Sequence, residues 1–398
     1  MPTCPYFKKC SGCQLLNLTY EKQLQLKQVR VIRYLGKYCH VDEIIGMEAP
    51  QNYRNKSQYL FGIKDQRLAC GIYQSATGKI SEVDSCMLEE ESTGRIVKSI
   101  KKLAIKLNIP PYDIFTGKGF LRHVLVRKGF TSGQIMVVIV TTDSEFKRKE
   151  EFKSTLLKMH PEITTLVWNV NKTETPLMLG EKSEALYGDG YISDTLCGLE
   201  FRISPRSFYQ INPIQTEKLY AKARELAELS GNERVIDAYC GTGTIGLTMA
   251  SEAREIIGVE INSEAVLDAK ANAKINKIEN VKFYNEDAGK YMKALASKGE
   301  KIDVVITDPP RAGCSKDFLQ SLVLLAPKRV VYISCNPETQ AKDLFYLVKN
   351  GYRVTKIQPY DLFPHTSHIE TVVQLIKNKI ERGKKNDRER KENTRLSL

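Results

Sequence analysis

The sequence predicts an α/β protein in two parts: a compact α+β module over residues 1–207 and a Rossmann-like, doubly wound parallel sheet over residues 208–377. Three observations carry that expectation. Beyond residue 233, short apolar runs such as "RVIDAYCG", "EIIGVEI", "DVVITDPP" and "RVVYISCNP" alternate with helix-length segments, the pattern of strands joined by crossover helices. The first of these runs opens into a glycine loop, Gly241-x-Gly243-x-x-Gly246, ahead of a helix. Before residue 208 the apolar runs instead come in pairs across polar turns, which is the texture of hairpins.

Taken in order, residues 4–13 are dense in cysteine. A helix over residues 19–36 follows, capped by Thr19, with Tyr20, Leu24, Val31 and Leu35 on one face and Gly36 as its stop. It is a candidate to pack on the second part of the chain. "SQYLFGI" and "RLACGIY" flank one turn, and "LRHVLVRKG" and "QIMVVIVTT" flank another. Amphipathic helices are expected near residues 89–108 and 145–159. After "FRISPRSFYQIN" the β–α alternation starts and runs through "NVKFYN", "YRVTKIQPY" and "IETVVQLI". Residues 378–398 are nearly free of apolar side chains and read as a disordered basic tail.

Bulk properties narrow the function. No apolar run approaches the roughly 18 residues that a membrane span needs, and the N-terminus lacks the apolar core of a secretory signal. A cytoplasmic protein is expected, with its ten cysteines reduced. They then serve as ligands, nucleophiles or packing. The net charge is +13, and only +5 of it lies in the tail from Lys377, so the body is basic as well. Polyanions such as RNA are the natural partner of such a surface. No membrane and no obligate protein partner is called for.

The glycine loop followed by Glu260, nineteen residues after Gly241, suits a ligand with ribose hydroxyls. NAD and S-adenosylmethionine both qualify. Asp287 stands where an adenine would lie, and Asp237 at a strand end favours a cation such as a sulfonium. "DPPR" brings Asp308 and Arg311 to the carboxyl edge of the sheet, where ligands of open α/β sheets bind. "SCNP" brings Cys335 to the same edge, as a nucleophile or as a packed thiol. An NAD-linked oxidoreductase leaves these last motifs without a use.

"DAYCGTGTIGL", "DPPR", "SCNPET" and "HTSHIET", in this order, resemble the RNA uracil-5-methyltransferase family. The resemblance implies a C-terminal class I, Rossmann-like S-adenosylmethionine-dependent methyltransferase domain behind an N-terminal α+β iron–sulfur and RNA-binding module. By the same resemblance Cys335 is the nucleophile and Glu370 the proton acceptor. Gln210, Tyr239, Glu260, Asp287 and Asp308 would contact the cofactor, while Thr244 stands where some relatives carry Asn. The layout is expected to be that of members without the β-barrel TRAM domain. That points to 23S ribosomal RNA as the expected substrate, with the T-loop of transfer RNA as the alternative.

Cys4-x5-Cys10-x2-Cys13 with a remote Cys86 is closer to iron–sulfur spacing than to the paired knuckles of zinc sites. The resemblance implies a [4Fe-4S] cluster on these four cysteines. A non-catalytic iron–sulfur RNA-binding protein would be the remaining alternative if either the nucleophile or the base were missing. RNA contact is expected at Arg54, Lys56, Arg122, Arg127 and Lys128, with neighbouring Tyr and Phe side chains to stack bases.

Overall fold

The computed structural model describes residues 4–74, 79–173 and 177–378; the expected basic tail lies outside them apart from Asn378. Helix α1 (Tyr20–Leu35) starts where Thr19 accepts a hydrogen bond from the amide of Lys22. Strands β1 (Lys56–Lys64), β2 (Arg67–Gln74) and β3 (Lys79–Glu82) lead to helix α2 (Glu91–Lys106). Strands β4 (Leu121–Lys128) and β5 (Ile135–Thr141), helix α3 (Lys149–Met159), then β6 (Ile163–Val170) and β7 (Lys182–Tyr187) complete one seven-stranded sheet. Its order is β3-β2-β1-β4-β5-β6-β7.

Two expected hairpins form, β1–β2 and β4–β5, with Leu60 opposite Gly71 and Leu125 opposite Val138. The module is not built of hairpins alone, because β5 and β6 run parallel. A parallel pair needs a crossover of about a dozen residues or more, and α3 with its flanking turns supplies it. Helices α2 and α3 cover one face, closing a core that includes Phe61, Ile96, Ile100, Val124, Ile139 and Phe152.

A two-stranded hairpin, β8 (Ile192–Leu196) and β9 (Leu199–Ile203), precedes helix α4 (Pro213–Ala227). The second sheet then unfolds as β10 (Arg234–Ala238), α5 (Thr244–Met249), β11 (Glu255–Glu260), α6 (Ser263–Ile275), β12 (Val281–Asn285) and α7 (Ala288–Ser297). It continues through β13 (Val304–Thr307), α8 (Lys316–Leu325), β14 (Arg329–Ser334), α9 (Pro337–Lys349), β15 (Tyr352–Tyr360) and β16 (Glu370–Lys377). The strand order is β12-β11-β10-β13-β14-β16-β15. Reversal of order on either side of β10 makes the sheet doubly wound, and the crevice there is the expected ligand site.

One strand departs from the all-parallel expectation. β16 inserts between β14 and β15 and is antiparallel to both. Only residues 361–369 separate β15 from β16, too few for a helical crossover, so the chain must double back.

The two halves are not separately buried. Val138 and Val140 of β5 pack in one apolar cluster with Leu196 and Phe201 of the small hairpin and with Leu219 and Ile245 of the second half. Helix α1 lies against the other face of the second sheet, where Val31 and Leu35 join Ile236, Ile257 and Leu344. Among the described residues, no helix is long and apolar enough to cross a membrane.

Candidate active site

Five of the residues singled out in the sequence fall at or just beyond the carboxyl ends of parallel strands: Tyr239 after β10, Glu260 ending β11, Asp287 after β12, Asp308 after β13 and Cys335 after β14. Glu370 reaches the same edge from the other direction, as the first residue of antiparallel β16. The last paired residues of β14 and β16 are Ser334 and Thr371. The ladder ends there, and Cys335 and Glu370 are the residues next to that last pair on each strand. Asn336 caps α9 through the amide of Glu338, Pro337 fills its first turn, and the thiol is left on the lip of the sheet.

Electrostatics place the same groups together. Burial pushes the Cys335 thiol up to about 11, Glu370 and Asp308 push it the same way, and Arg311 opposes them. Glu370 is held well above the usual carboxylate range by burial and by Asp308. Burial raises Asp308 to about 7. Asp237 also rises to about 7, through burial first and then Asp308 and Glu260, despite the amide of Gly246. Crowding of three carboxyl groups in a dry edge creates a site short of positive charge. One oxygen of Asp237 accepts the Gly246 amide at 2.8 Å, while the other is buried without a partner. A cationic ligand fits that vacancy of charge.

The glycine loop is shaped for close approach. Gly243 has φ 80°, and a Cβ there would stand 2.9 Å from the Phe283 ring. A Cβ on Gly246 would meet Asp237 Oδ2, also at 2.9 Å. Glu260 braces the loop by accepting the Gly241 amide at 3.1 Å and the Asn262 amide at 2.8 Å. Tyr239 sits in the left-handed region at φ 62°, its ring 5.1 Å from that of Phe318. Asp287 caps α7 by accepting the Lys290 amide at 2.9 Å. Gln210 lies in the segment that meets the loop, where Thr242 donates to the Phe208 carbonyl at 3.4 Å, and its own carbonyl accepts from Asn55. The hydroxyl of Thr244 is engaged with Tyr220 at 3.0 Å.

The side chain of Arg311 was legible only as part of a rigid shelf, and the structure gives it partners. It meets His368 Nδ1 at 3.1 Å, while its carbonyl is held by Asn336 and Thr339 of α9. Glu370, Cys335 and Arg311 are thereby tied to one set of elements.

The four cysteines of the N-terminal pattern come together: Cys4, Cys10, Cys13 and Cys86 line one cavity of about 240 Å³ with Phe7, Leu16 and Leu88. Burial raises Cys13 to about 11 and Cys86 to about 12, and Arg54 opposes both. The amide of Gly12 points at Cys10 Sγ, 3.4 Å away. Among the described residues, no three His, Cys, Asp or Glu side chains converge as ligands of a single metal ion would.

Two of the expected RNA contacts are spent inside the protein. Arg127 is buried and donates to the carbonyls of Ser204 and Ser207; Arg122 is buried and donates to that of Asn171. Lys128 pairs with Glu90 at 2.7 Å. Burial and the neighbouring Arg127 and Arg54 bring Lys56 down to about 7. A wider cleft of about 780 Å³ lies on the first sheet, lined by Tyr73, Tyr112, Phe115 and His123, with Phe115 82% exposed.

Comparison with known proteins agrees with this geometry. The family described as tRNA (Uracil-5-)-methyltransferase matches residues 187–378. An uncharacterised RNA methyltransferase of Halalkalibacterium halodurans is 43% identical over 381 residues, covering 94% of this chain and 83% of that protein. One of Listeria monocytogenes is 42% identical over 381 residues, covering 95% and 84%. The crystal structure of Pyrococcus abyssi tRNA (uracil-54, C5)-methyltransferase, in complex with S-adenosyl-L-homocysteine, superposes with a TM-score of 0.77 at 28% identity, covering 92% of this chain and 86% of that one. A match along nearly the whole chain to RNA methyltransferases, with the uracil-5-methyltransferase family model over residues 187–378, places the protein in the RNA uracil-5-methyltransferase family.

Proposed function

We propose that this RNA uracil-5-methyltransferase works through a covalent bond between Cys335 and carbon 6 of the target uracil, with Glu370 as the base that ends the cycle. The observation that carries the reading is the shared sheet edge: β14 ends one residue before Cys335, its antiparallel neighbour β16 begins at Glu370, and Glu370 is the charge that acts most strongly on the thiol. Carbon 5 of uracil is too weak a nucleophile to take a methyl group unaided. Once deprotonated, the Cys335 sulfur adds to carbon 6, and the ring electrons move to carbon 5 and the carbonyl oxygen as an enolate. S-adenosylmethionine, when bound, supplies the electrophilic methyl group that carbon 5 attacks. Glu370 then takes the proton from carbon 5, the carbon 6–sulfur bond breaks, and the ring double bond re-forms. Because stacking hides carbon 6, the uridine must be flipped out or lie in a loop.

Gln210, Tyr239, Glu260, Asp287 and Asp308 would hold the cofactor. Asp308 and Asp237 would face its positive charge, and that assignment has a measurable pH signature. A carboxyl raised to about 7 in the free protein falls when a cation binds beside it, so binding releases protons. Affinity for S-adenosylmethionine is expected to rise by up to about tenfold per pH unit for each carboxyl that ionises, from pH 5 to 7, and to level off above. Calorimetry in buffers of different ionisation enthalpy measures both quantities. S-adenosylhomocysteine, without the sulfonium charge, should show a shallower slope. Equal slopes for the two ligands would remove the carboxyl groups from the site.

Cys4, Cys10, Cys13 and Cys86 would carry a [4Fe-4S] cluster. Methyl transfer needs no electron, so its chemistry there is structural, binding the first residues to the β1–β3 side of the module. Anaerobically purified protein is expected to be brown, and Cys86→Ser to lose iron and melt several degrees lower. Stoichiometric zinc in place of iron would overturn the assignment.

The target uridine has two readings. One is 23S ribosomal RNA, the substrate expected from the sequence. The likeness to the Pyrococcus abyssi enzyme, which acts on uracil 54 of tRNA, supports transfer RNA. Mapping 5-methyluridine in both RNAs from a deletion strain decides between them, and a deletion that loses none from either would remove the proposed activity.

A further inference from the structure

Glu370 is delivered by residues 361–369, and that loop is held mainly by the far N-terminal part of the chain. The Leu15 amide donates to the His365 carbonyl at 2.9 Å, and Gln14 Oε1 accepts the Ser367 amide at 3.2 Å. Gln23 brackets His365 by accepting its amide at 3.0 Å and meeting Nδ1 at 3.1 Å. Tyr53 donates to the Pro364 carbonyl, and Pro50 accepts from His365 Nε2 at 2.9 Å. These partners fix the tautomer: the Nε2 hydrogen goes to the Pro50 carbonyl, and Nδ1 accepts from the Gln23 amide. His365 itself sits at φ 68°, a left-handed conformation that needs such support.

Two of these anchors come from the residues directly after Cys13, which lines the cysteine cavity. The backbone from Cys13 to Leu15 is thus fixed at one end by that cavity and at the other by the loop before Glu370. Anchors from Gln23 and Tyr53 are buried or part-buried and belong to the packed body, whereas Gln14 is exposed. Gln14 therefore makes its contact with Ser367 at the surface, where few other groups support it.

We propose that Gln14 and Leu15 are positioning residues for Glu370 and couple its loop to the state of the cysteine cavity. The proposal rests on Glu370 being the base. A cavity that holds its cysteines in place keeps the loop seated and the carboxylate over carbon 5. A cavity that loses its bound group, or a thiol, frees the Cys13–Leu15 segment, and product release slows while the addition of Cys335 is less affected.

The test uses the full chain with its cysteine site loaded, and two readouts. Amide exchange over residues 363–369 is followed by mass spectrometry in the parent protein, in Gln14→Ala and in Gln14→Glu. Gln14→Ala should exchange about fivefold faster there, the loss of one hydrogen bond. Gln14→Glu keeps an acceptor oxygen for Ser367 and should restore protection. Removing iron with a chelator, or replacing Cys10 with Ser, should loosen the same peptide even with Gln14 present. In single turnovers with methyl-tritiated S-adenosylmethionine, Gln14→Ala should slow RNA release from Cys335 about fivefold and slow methyl transfer less.

Unchanged exchange in Gln14→Ala, or loop protection that ignores iron removal, overturns the coupling. A loosened loop with normal adduct release overturns the positioning role while leaving the base intact. Should Glu370→Gln itself trap no adduct, the base assignment falls, and the exchange data still decide the coupling.

Discussion

Glu370→Gln, given substrate RNA and methyl-tritiated S-adenosylmethionine, is expected to end each cycle as labelled RNA bonded to Cys335. The amide can neither accept the carbon 5 proton nor carry the negative charge that draws it, yet it fills nearly the same space beside Asp308. Addition and methyl transfer proceed, and elimination stalls. The complex should survive denaturing electrophoresis, and turnover should fall on the order of 10³-fold, the scale of a lost general base. Cys335→Ala should instead bind both substrates and form neither product nor adduct. Because the two residues act in sequence, the double variant should be no slower than Cys335→Ala. The parent enzyme should show a rate that rises with pH, since Glu370 must be ionised and its pKa is held high by burial and Asp308. Replacement of Asp308 by Asn should shift that limb towards lower pH. Near-normal turnover by Glu370→Gln, or failure of labelled adduct to build up while both substrates bind, would falsify the role of Glu370.

The edge that carries this chemistry was largely legible because each of its residues ends an apolar run. Asp308 after "VVIT" and Cys335 after "VVYIS" need only the strand period and the parallel rule to reach one side of the sheet. Glu370 was harder. As the first residue of a strand it would sit at the opposite edge if β16 were parallel, and only the nine-residue return from β15 reverses it. The face of α1 was read as Tyr20, Leu24, Val31 and Leu35, an apolar stripe with a gap at its centre. The buried face found is Gln23, Lys27, Val31 and Leu35. Its polar half makes sense only once the loop of residues 361–369, over three hundred positions away, supplies the partners. Arg122 and Arg127 misled for a related reason. On a strand of alternating side chains, a cation can face either solvent or the next layer, and the sequence does not contain the carbonyls of Asn171, Ser204 and Ser207 that receive them. The cysteine spacing named its four members, but their meeting around one cavity depends on β3 and the segment to Leu88, which bring Cys86 to the N-terminus.

Loss of the Asp361 carboxylate should be the most destabilising single change outside the apolar core. Lys27 Nζ lies 2.6 Å from Asp361 Oδ1, with side chains 2% and 0% exposed, and also donates to the Phe363 carbonyl at 3.2 Å. The other carboxylate oxygen accepts from Tyr20 at 3.0 Å. Asp361→Ala leaves an ammonium in a dry interior with one carbonyl for company. Breaking such a pair from one side costs about 3–5 kcal/mol, because the remaining charge has lost its counter-charge and cannot reach water. Lys27→Met with Asp361→Asn removes both charges and keeps an acceptor for Tyr20, so it should recover more than half of that loss. The pH dependence distinguishes charge from packing. Burial lowers the pKa of Lys27 and Asp361 raises it, so removing Asp361 depresses it further below its unfolded value. Between those two values the unfolded chain binds more protons, and stability therefore rises with pH. The deficit of Asp361→Ala, read from urea unfolding midpoints, should shrink from pH 7 to pH 10, and that of the double variant should not. A deficit below about 1 kcal/mol, or one that stays constant over that range, would mean that water reaches Lys27 and that the pair does not hold α1 to the loop that presents Glu370.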